Sequence, residues 1–209
     1  MTDTTTPAAA PPEVLYAVSE QIAVITLNAP ARMNTISREM LGDLTQRLLQ
    51  ANADKDVRCV ILTGTGRAFC AGEDMKESLA EKNPGGRPAP MEDPFNAGTL
   101  EKPVIAAVNG FAMGGGFMMV ERTDLRVAAS TAIFEVSEAK RWLLGGYNHG
   151  HMANLAFPLA MEMALGFRFT AQRFYEIGFL NRLVDAEQLI PESLKMAEHL
   201  LTRGTAAPA

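Results

Sequence analysis

Two turns in this sequence set glycines between a strand-like run and a helix-like segment. The first, Cys70-Ala71-Gly72-Glu73-Asp74, follows the apolar run Val57 to Thr63. The second, Gly114-Gly115-Gly116, follows Val104 to Val108 and the Asn109-Gly110 turn. Glycines at a helix start let another molecule come close to the backbone, and the first helical N–H groups have no acceptor within the helix. Backed by the helix dipole, such groups suit a negative charge or a developing oxyanion. Taken singly, each turn is equally well explained by packing alone. Two of them in one domain could aim two N–H groups at one point. Farther along, Gly145 to His151 (GGYNHGH) brings two histidines and a tyrosine together, and histidine is the natural proton-transfer group near neutral pH. The His-Gly-His spacing also suggests metal, but no carboxylate or cysteine set completes a site.

The elements that must position these turns follow from periodicity. Val57 to Thr63 and Val104 to Val108 lack polar alternation and read as strands buried on both faces. Val14 to Val18 and Ile22 to Leu27 flank Ser19-Glu20-Gln21 and predict an antiparallel hairpin. Asn28 to Asn34 is a loop. Ser37 then caps a helix to about Asn52, with Met40, Leu41, Leu44, Leu48 and Leu49 on one stripe. Glu81 to Phe95 carries four prolines and reads as a mobile loop at the mouth of a site. Leu125 to Ala128 and Ile133 to Val136 are strand-like, and Met152 to Gly166 is helical. Thr170 caps Ala171 to Ile177, Asn181 to Val184 is a short strand, and Pro191 opens a last helix. Strand, strand, helix recurring along the chain indicates an α/β fold.

At 209 residues, with 47% apolar and 21% charged residues, the chain has the length and composition of one globular domain. Residues 1–13, rich in threonine, alanine and proline, read as a disordered N-terminal tail, and 14–209 as a single domain. A net charge of −5 argues against a nucleic-acid surface but leaves room for a polyanionic ligand held by local cations. No apolar run approaches the ~20 residues of a membrane span, and the N-terminus lacks the pattern of a signal peptide. Cys59 and Cys70 form no disulfide framework. A cytoplasmic protein fits these features.

FCAGEDMKE followed by KPVIAAVNGFAMGGG resembles the enoyl-CoA hydratase/isomerase (crotonase) family, as do Asp124 to Ala129 and Ile177 to Val184. The likeness runs from about Val14 to about Leu201. It implies a crotonase-like spiral of repeated β-β-α turns, with the usual C-terminal helices short or missing in this sequence. It implies an acyl-CoA thioester as substrate and no separate cofactor, since coenzyme A is part of the substrate. It also implies a homotrimer or dimer of trimers, for which the Met152 to Leu165 segment is a candidate contact.

Residue by residue, the resemblance makes the N–H groups of Glu73 and Gly115 the oxyanion hole for a thioester enolate. Glu138, in Phe134-Glu135-Val136-Ser137-Glu138, matches the family's second glutamate, with serine in place of proline, and becomes the acid/base. Arg32 is a candidate partner for a coenzyme A phosphate, or else a solvated surface arginine. Ala71, Asp74, Met75 and Lys76 fall in the substrate-binding stretch. Met118 stands where hydratases of the family carry the first glutamate, and a thioether can neither accept nor deliver a proton at neutral pH. Glu121, one helical turn beyond, could lean the same way, face solvent, or pair with Arg122 or Arg126. His149, in the histidine loop, is a second possible substitute. One carboxylate suffices to move a double bond, whereas adding water normally takes two, so isomerisation is favoured over hydration. The alternative is an acyl-CoA-binding pseudoenzyme or a non-catalytic subunit.

Overall fold

The computed structural model describes residues 11–82, 92–141 and 154–202. The predicted hairpin is present: β1 (Val14–Ser19) pairs antiparallel with β2 (Ile22–Leu27). Glu20 and Gln21 turn its corner at φ 49° and 65°, the left-handed conformation that a tight hairpin requires. The Ser37 hydroxyl accepts the Met40 N–H and starts α1 (Arg38–Ala53). Met40, Leu44, Leu48 and Ala51 are its buried stripe, with Leu41 and Leu49 half-buried at the flanks.

Three units then repeat. The first is β3 (Cys59–Gly64), β4 (Ala68–Cys70) and α2 (Met75–Ala80). A one-turn helix α3 (Pro94–Ala97) precedes the second, which is β5 (Val104–Val108), β6 (Phe111–Met113) and α4 (Gly115–Glu121). In the third, β7 (Leu125–Ala129) and β8 (Ile133–Glu135) lead to a 3-10 turn, Ser137–Arg141. Among the described residues, the helices and strands that follow are α5 (Phe157–Ala164), β9 (Phe169–Thr170), α6 (Ala171–Glu176), β10 (Arg182–Val184) and α7 (Leu189–Leu201). The first strand of each unit enters a six-stranded sheet of order β1-β2-β3-β5-β7-β10, and the second enters a four-stranded sheet of order β4-β6-β8-β9. This is the spiral of β-β-α turns that the resemblance implies.

Burial on both faces explains the unbroken apolar strands. Ile61, Ile105, Ala107 and Val127 pack with Leu189 and Ala197 of α7 on one side of the large sheet. Val60, Leu62, Ala106, Val108 and Ala128 point to the other side, toward α1 and the small sheet. Among the described residues, no helix is long and apolar enough to cross a membrane.

Some boundaries differ from those the sequence predicts. β4 and β6 are strands of three residues where only turns were expected. Helix α5 begins at Phe157 rather than Met152, because Pro158 lies in its first turn and cannot sit deeper in a helix. Helix α7 starts two residues ahead of Pro191, for the same reason. Of the expected N-terminal tail and the proline-rich loop, residues 1–10 and 83–91 lie outside the described residues. The loop's end is ordered by Asp93, fully buried, which caps α3 through the N–H groups of Phe95 and Asn96.

Gly42 is exposed within α1, and a Cβ there would meet nothing within 4 Å. Gly42→Ala is expected to stabilise the protein by about 1 kcal/mol. In a thermal melt that is a rise of roughly 2–4 °C for a domain of this size; no rise, or a fall, would contradict the placement of this helix face.

Candidate active site

The small sheet gives the chemically interesting segments a common origin. Strands β4, β6 and β8 are parallel neighbours, with Cys70 opposite Ala112 and Met113 opposite Glu135. Their carboxyl ends lie along one edge. Ala71 to Asp74, Gly114-Gly115 and Ser137-Glu138 therefore emerge side by side, where parallel sheets generally place their ligands.

Gly72 brings the first two turns together. A Cβ on it would lie 2.9 Å from the Met113 carbonyl oxygen and 3.5 Å from the Gly115 nitrogen. Gly115 is the first residue of α4, so its N–H has no acceptor within the helix. On the other turn, Ile36 forms a parallel bridge with Glu73. The Ile36 N–H donates to Gly72 O at 2.7 Å, and the Asp74 N–H donates to Ile36 O at 3.0 Å. Because N–H groups alternate along an extended backbone, the Glu73 N–H points to the side away from the Ile36 backbone. The Glu73 carboxylate itself accepts the Ser78 hydroxyl.

The third turn brings a carboxylate to the second. Gly114 has φ +50°, and a Cβ on it would lie 3.1 Å from Glu138 Oε1. Its N–H donates to Glu135 O at 2.8 Å. Glu138 Oε2 is buried and has no hydrogen-bond partner among the described residues. A carboxylate lying against the glycine turn at a helix start is suited to moving a proton beside a forming oxyanion.

An aromatic cluster seats this arrangement from behind. Phe117 of α4 stacks on Phe174 at 5.9 Å and meets Phe134 of β8 edge-on at 6.3 Å, with Phe179 and Phe169 completing the group. Met118, next along α4, is half-buried, and its N–H donates to Gly114 O.

Other expected site residues have structural partners. Asp74 caps α2, accepting the N–H groups of Lys76 and Glu77, and also accepts the Thr35 hydroxyl. Burial works to raise its pKa, but these bonds and the nearby Arg32 outweigh it and hold the carboxyl below its ordinary value. Arg32 pairs with Glu13, donates to Thr35 O and Ser37 Oγ, and lies 3.6 Å from Asp74. Its guanidinium is thus engaged by protein groups, and a phosphate there would compete with two carboxylates. The Ala71 N–H donates to Met33 O; Met75 is half-buried and Lys76 exposed.

Glu121 does not face solvent. It is 4% exposed and lines a cavity with Arg126, Leu155, Leu159 and Phe179. Burial lowers the pKa of Arg126, while the nearby charges of Glu121 and Asp124 pull it back up, and Arg126 Nη2–H donates to the Glu121 carbonyl. Among the predicted substitutes, His149 and its loop lie outside the described residues.

Two contributors were not foreseen. Asn34, fully buried, donates through Nδ2 to the carbonyls of Thr65, Ala68 and Phe69, and its Oδ1 accepts the Ala29 N–H. One amide thus fixes the strand that delivers Cys70. Its only trace in the sequence is an asparagine at a loop end, a residue that tolerates the φ of +54° seen here. Glu135 is the other. Burial pushes its carboxyl up, but bonds from Lys140, Arg168 and Ser137 outweigh that and keep it below the usual carboxylate range.

Gly114→Ala tests this geometry. An L-residue at that φ and a methyl against Glu138 are expected to destabilise the fold by about 1–3 kcal/mol. Denaturant unfolding measures it; an unchanged midpoint would mean that Glu138 does not lie against Gly114.

Comparison with known proteins converges on one family. The family model "Enoyl-CoA hydratase/isomerase" matches residues 17–209. Enoyl-CoA hydratase EchA19 of Mycobacterium tuberculosis is 34% identical over 207 residues, covering 94% of this chain and 77% of that protein. The 1,2-epoxyphenylacetyl-CoA isomerase of Escherichia coli is 34% identical over 206 residues, covering 92% of this chain and 77% of that protein. Among solved structures, a carnitinyl-CoA hydratase from Mycobacterium avium superposes with a TM-score of 0.82 at 27% identity, covering 93% of this chain and 77% of that one.

Proposed function

The chain belongs to the enoyl-CoA hydratase/isomerase family, and we propose that it is an acyl-CoA enzyme that shifts a carbon–carbon double bond rather than adding water. The observation that carries this reading is the Glu138 carboxylate against Gly114, with Met118 on the neighbouring turn of α4. In the proposed reaction the thioester oxygen of a 3-enoyl-CoA sits between the N–H groups of Glu73 and Gly115. Glu138 removes a proton from C2. The electron pair passes into the carbonyl, giving a dienolate whose negative oxygen the two N–H groups stabilise. Each donor of this kind contributes roughly 3 kcal/mol to the transition state. The protonated Glu138 then returns the proton at C4, and the double bond closes between C2 and C3. Atoms balance, and no water enters.

Hydration makes a further demand: a water must be held and aimed at C3. Ordering it takes two or more polar partners. Met118 offers only a weakly accepting thioether, which leaves Glu138 to do both tasks. Substrate contacts fall to the half-buried Met75 and Met118 and to the backbone of Ala71. Arg32 contributes indirectly, by tying Glu13, the loop after β2 and Asp74 together. Lys76, exposed beside the first turn, is the cation positioned to meet a phosphate of coenzyme A.

Incubation with 3-enoyl-CoA and with crotonyl-CoA is the test. Conversion of the first to the 2-enoyl isomer, with slow hydration of the second, is the expected result. Brisk hydration of crotonyl-CoA would overturn the isomerase reading. Binding without turnover of either would point to a non-catalytic protein instead. Glu138→Gln keeps the shape and loses the base, so deuterium exchange at C2 should fall by about 10²–10⁴ with ligand affinity nearly unchanged.

A further inference from the structure

The carboxylate of Glu135 is 4% exposed, and its partners frame the same site. Its Oε1 accepts the Ser137 hydroxyl at 2.8 Å. Its Oε2 accepts Arg168 Nε–H at 2.6 Å and the Lys140 ammonium at 2.8 Å. Ser137 and Lys140 belong to the 3-10 turn and stand on either side of Glu138. Arg168 immediately precedes β9, which runs antiparallel to β8 with Phe169 opposite Phe134, so Arg168 reaches Glu135 across the strand pair. The Glu135 backbone adds the remaining tie: its carbonyl accepts the Gly114 N–H at 2.8 Å. One residue thus holds the glycine turn through its main chain and the Glu138 turn through its side chain.

Stability alone does not call for a charge here. A buried carboxylate is costly unless fully paired, and packed apolar groups often serve a core as well. Both cations are substantially exposed, with side chains 50% (Lys140) and 66% (Arg168) accessible, which limits what the pairs add to folding. What the arrangement supplies is direction. Bonds converging on one carboxylate hold the short turn at Ser137 and at Lys140, the two residues that bracket Glu138 and Ala139.

We propose that Glu135 is a positioning residue for the double-bond shift, holding the Glu138 carboxylate against Gly114. The proposal rests on the reading of Glu138 as the base. Displacing a reacting group by about 1 Å can cost up to 10² in rate. Glu135→Gln keeps the shape but loses the charge that gathers Lys140 and Arg168. With 3-enoyl-CoA its kcat should fall roughly tenfold to a hundredfold, with KM within about twofold of the parent. A merely structural role would lower the amount of folded enzyme or the melting temperature without this split.

Lys140→Met, at a half-exposed position, is the companion should Glu135→Gln not fold. It should lower kcat severalfold at constant KM, and less than additively when combined with Glu135→Gln. Parent kcat in Glu135→Gln, or in Lys140→Met where the former does not fold, would overturn the proposal while leaving Glu138 as base. Parent activity in Glu138→Gln would remove the base itself, and the positioning role with it.

Discussion

The backbone of α4 lies so close to the end of β4 that no side chain fits between them. A Cβ at Gly116 would collide with the carbonyl oxygen of Cys70. This contact sets the distance between the two glycine turns, and the other features of the site depend on it. With α4 at that depth, the Gly115 nitrogen comes up against Gly72, and Gly114 turns its bare Cα toward Glu138. Burial of Phe117, Val120 and Phe134 in the aromatic cluster presses the helix inward; the absence of side chains at Gly114 to Gly116 lets it arrive. Larger residues would separate the turns by more than hydrogen-bonding reach.

Legibility in the sequence followed the range of the interaction. The hairpin, the Ser37 and Thr170 caps and the buried strands of the large sheet are decided by neighbours within a few residues, and each appears where it was predicted. Of the small sheet, Ile133 to Glu135 was legible as a strand, but β4 and β6 were not. Three residues are too few for an alternation to show, and their existence depends on pairing with segments about twenty to forty residues away. The site divides the same way. The glycine turns and Glu138 were marked by motif. Asn34 and Glu135 were not, because one works through carbonyls more than thirty residues off and the other through Arg168. The partner of Arg32 was not legible for the same reason: Glu13 lies nineteen residues before it.

Helix α4 is held at both ends by groups that do not themselves touch the reacting atoms in the proposed chemistry. At its start Gly114 is bound to Glu135 O. At its end the Arg126 guanidinium donates to the carbonyls of Val120, Glu121 and Thr123, with its face over Phe179 at 4.5 Å. Val120 O also accepts the Thr123 N–H and hydroxyl, so the guanidinium adds to the bonds that close this helix end. The charge that the guanidinium brings must be balanced, and Glu121 lies where it does so. Drawing Glu121 toward the substrate as a second acid would leave Arg126 poorly compensated in a low-dielectric setting, a large cost beside the gain.

This separation bears on what the site can and cannot change. The proposed oxyanion donors are main-chain groups, so their geometry depends on how strands and turns pack and not on which side chains Glu73 and Gly115 carry. A side chain acts on the reacting carbons only from a position that faces them. On the proposed reading those positions, among the described residues, are Met118 on α4 and Glu138 on the turn after β8. Neither is part of the contact between Gly116 and Cys70, the aromatic cluster or the Arg126 cap. Altering one therefore alters how many proton-carrying groups face the substrate while the frame keeps its stability. With a thioether at one position and a carboxylate at the other, one group must both remove and return the proton. That is the requirement of a double-bond shift, and it falls one group short of what an aimed water needs.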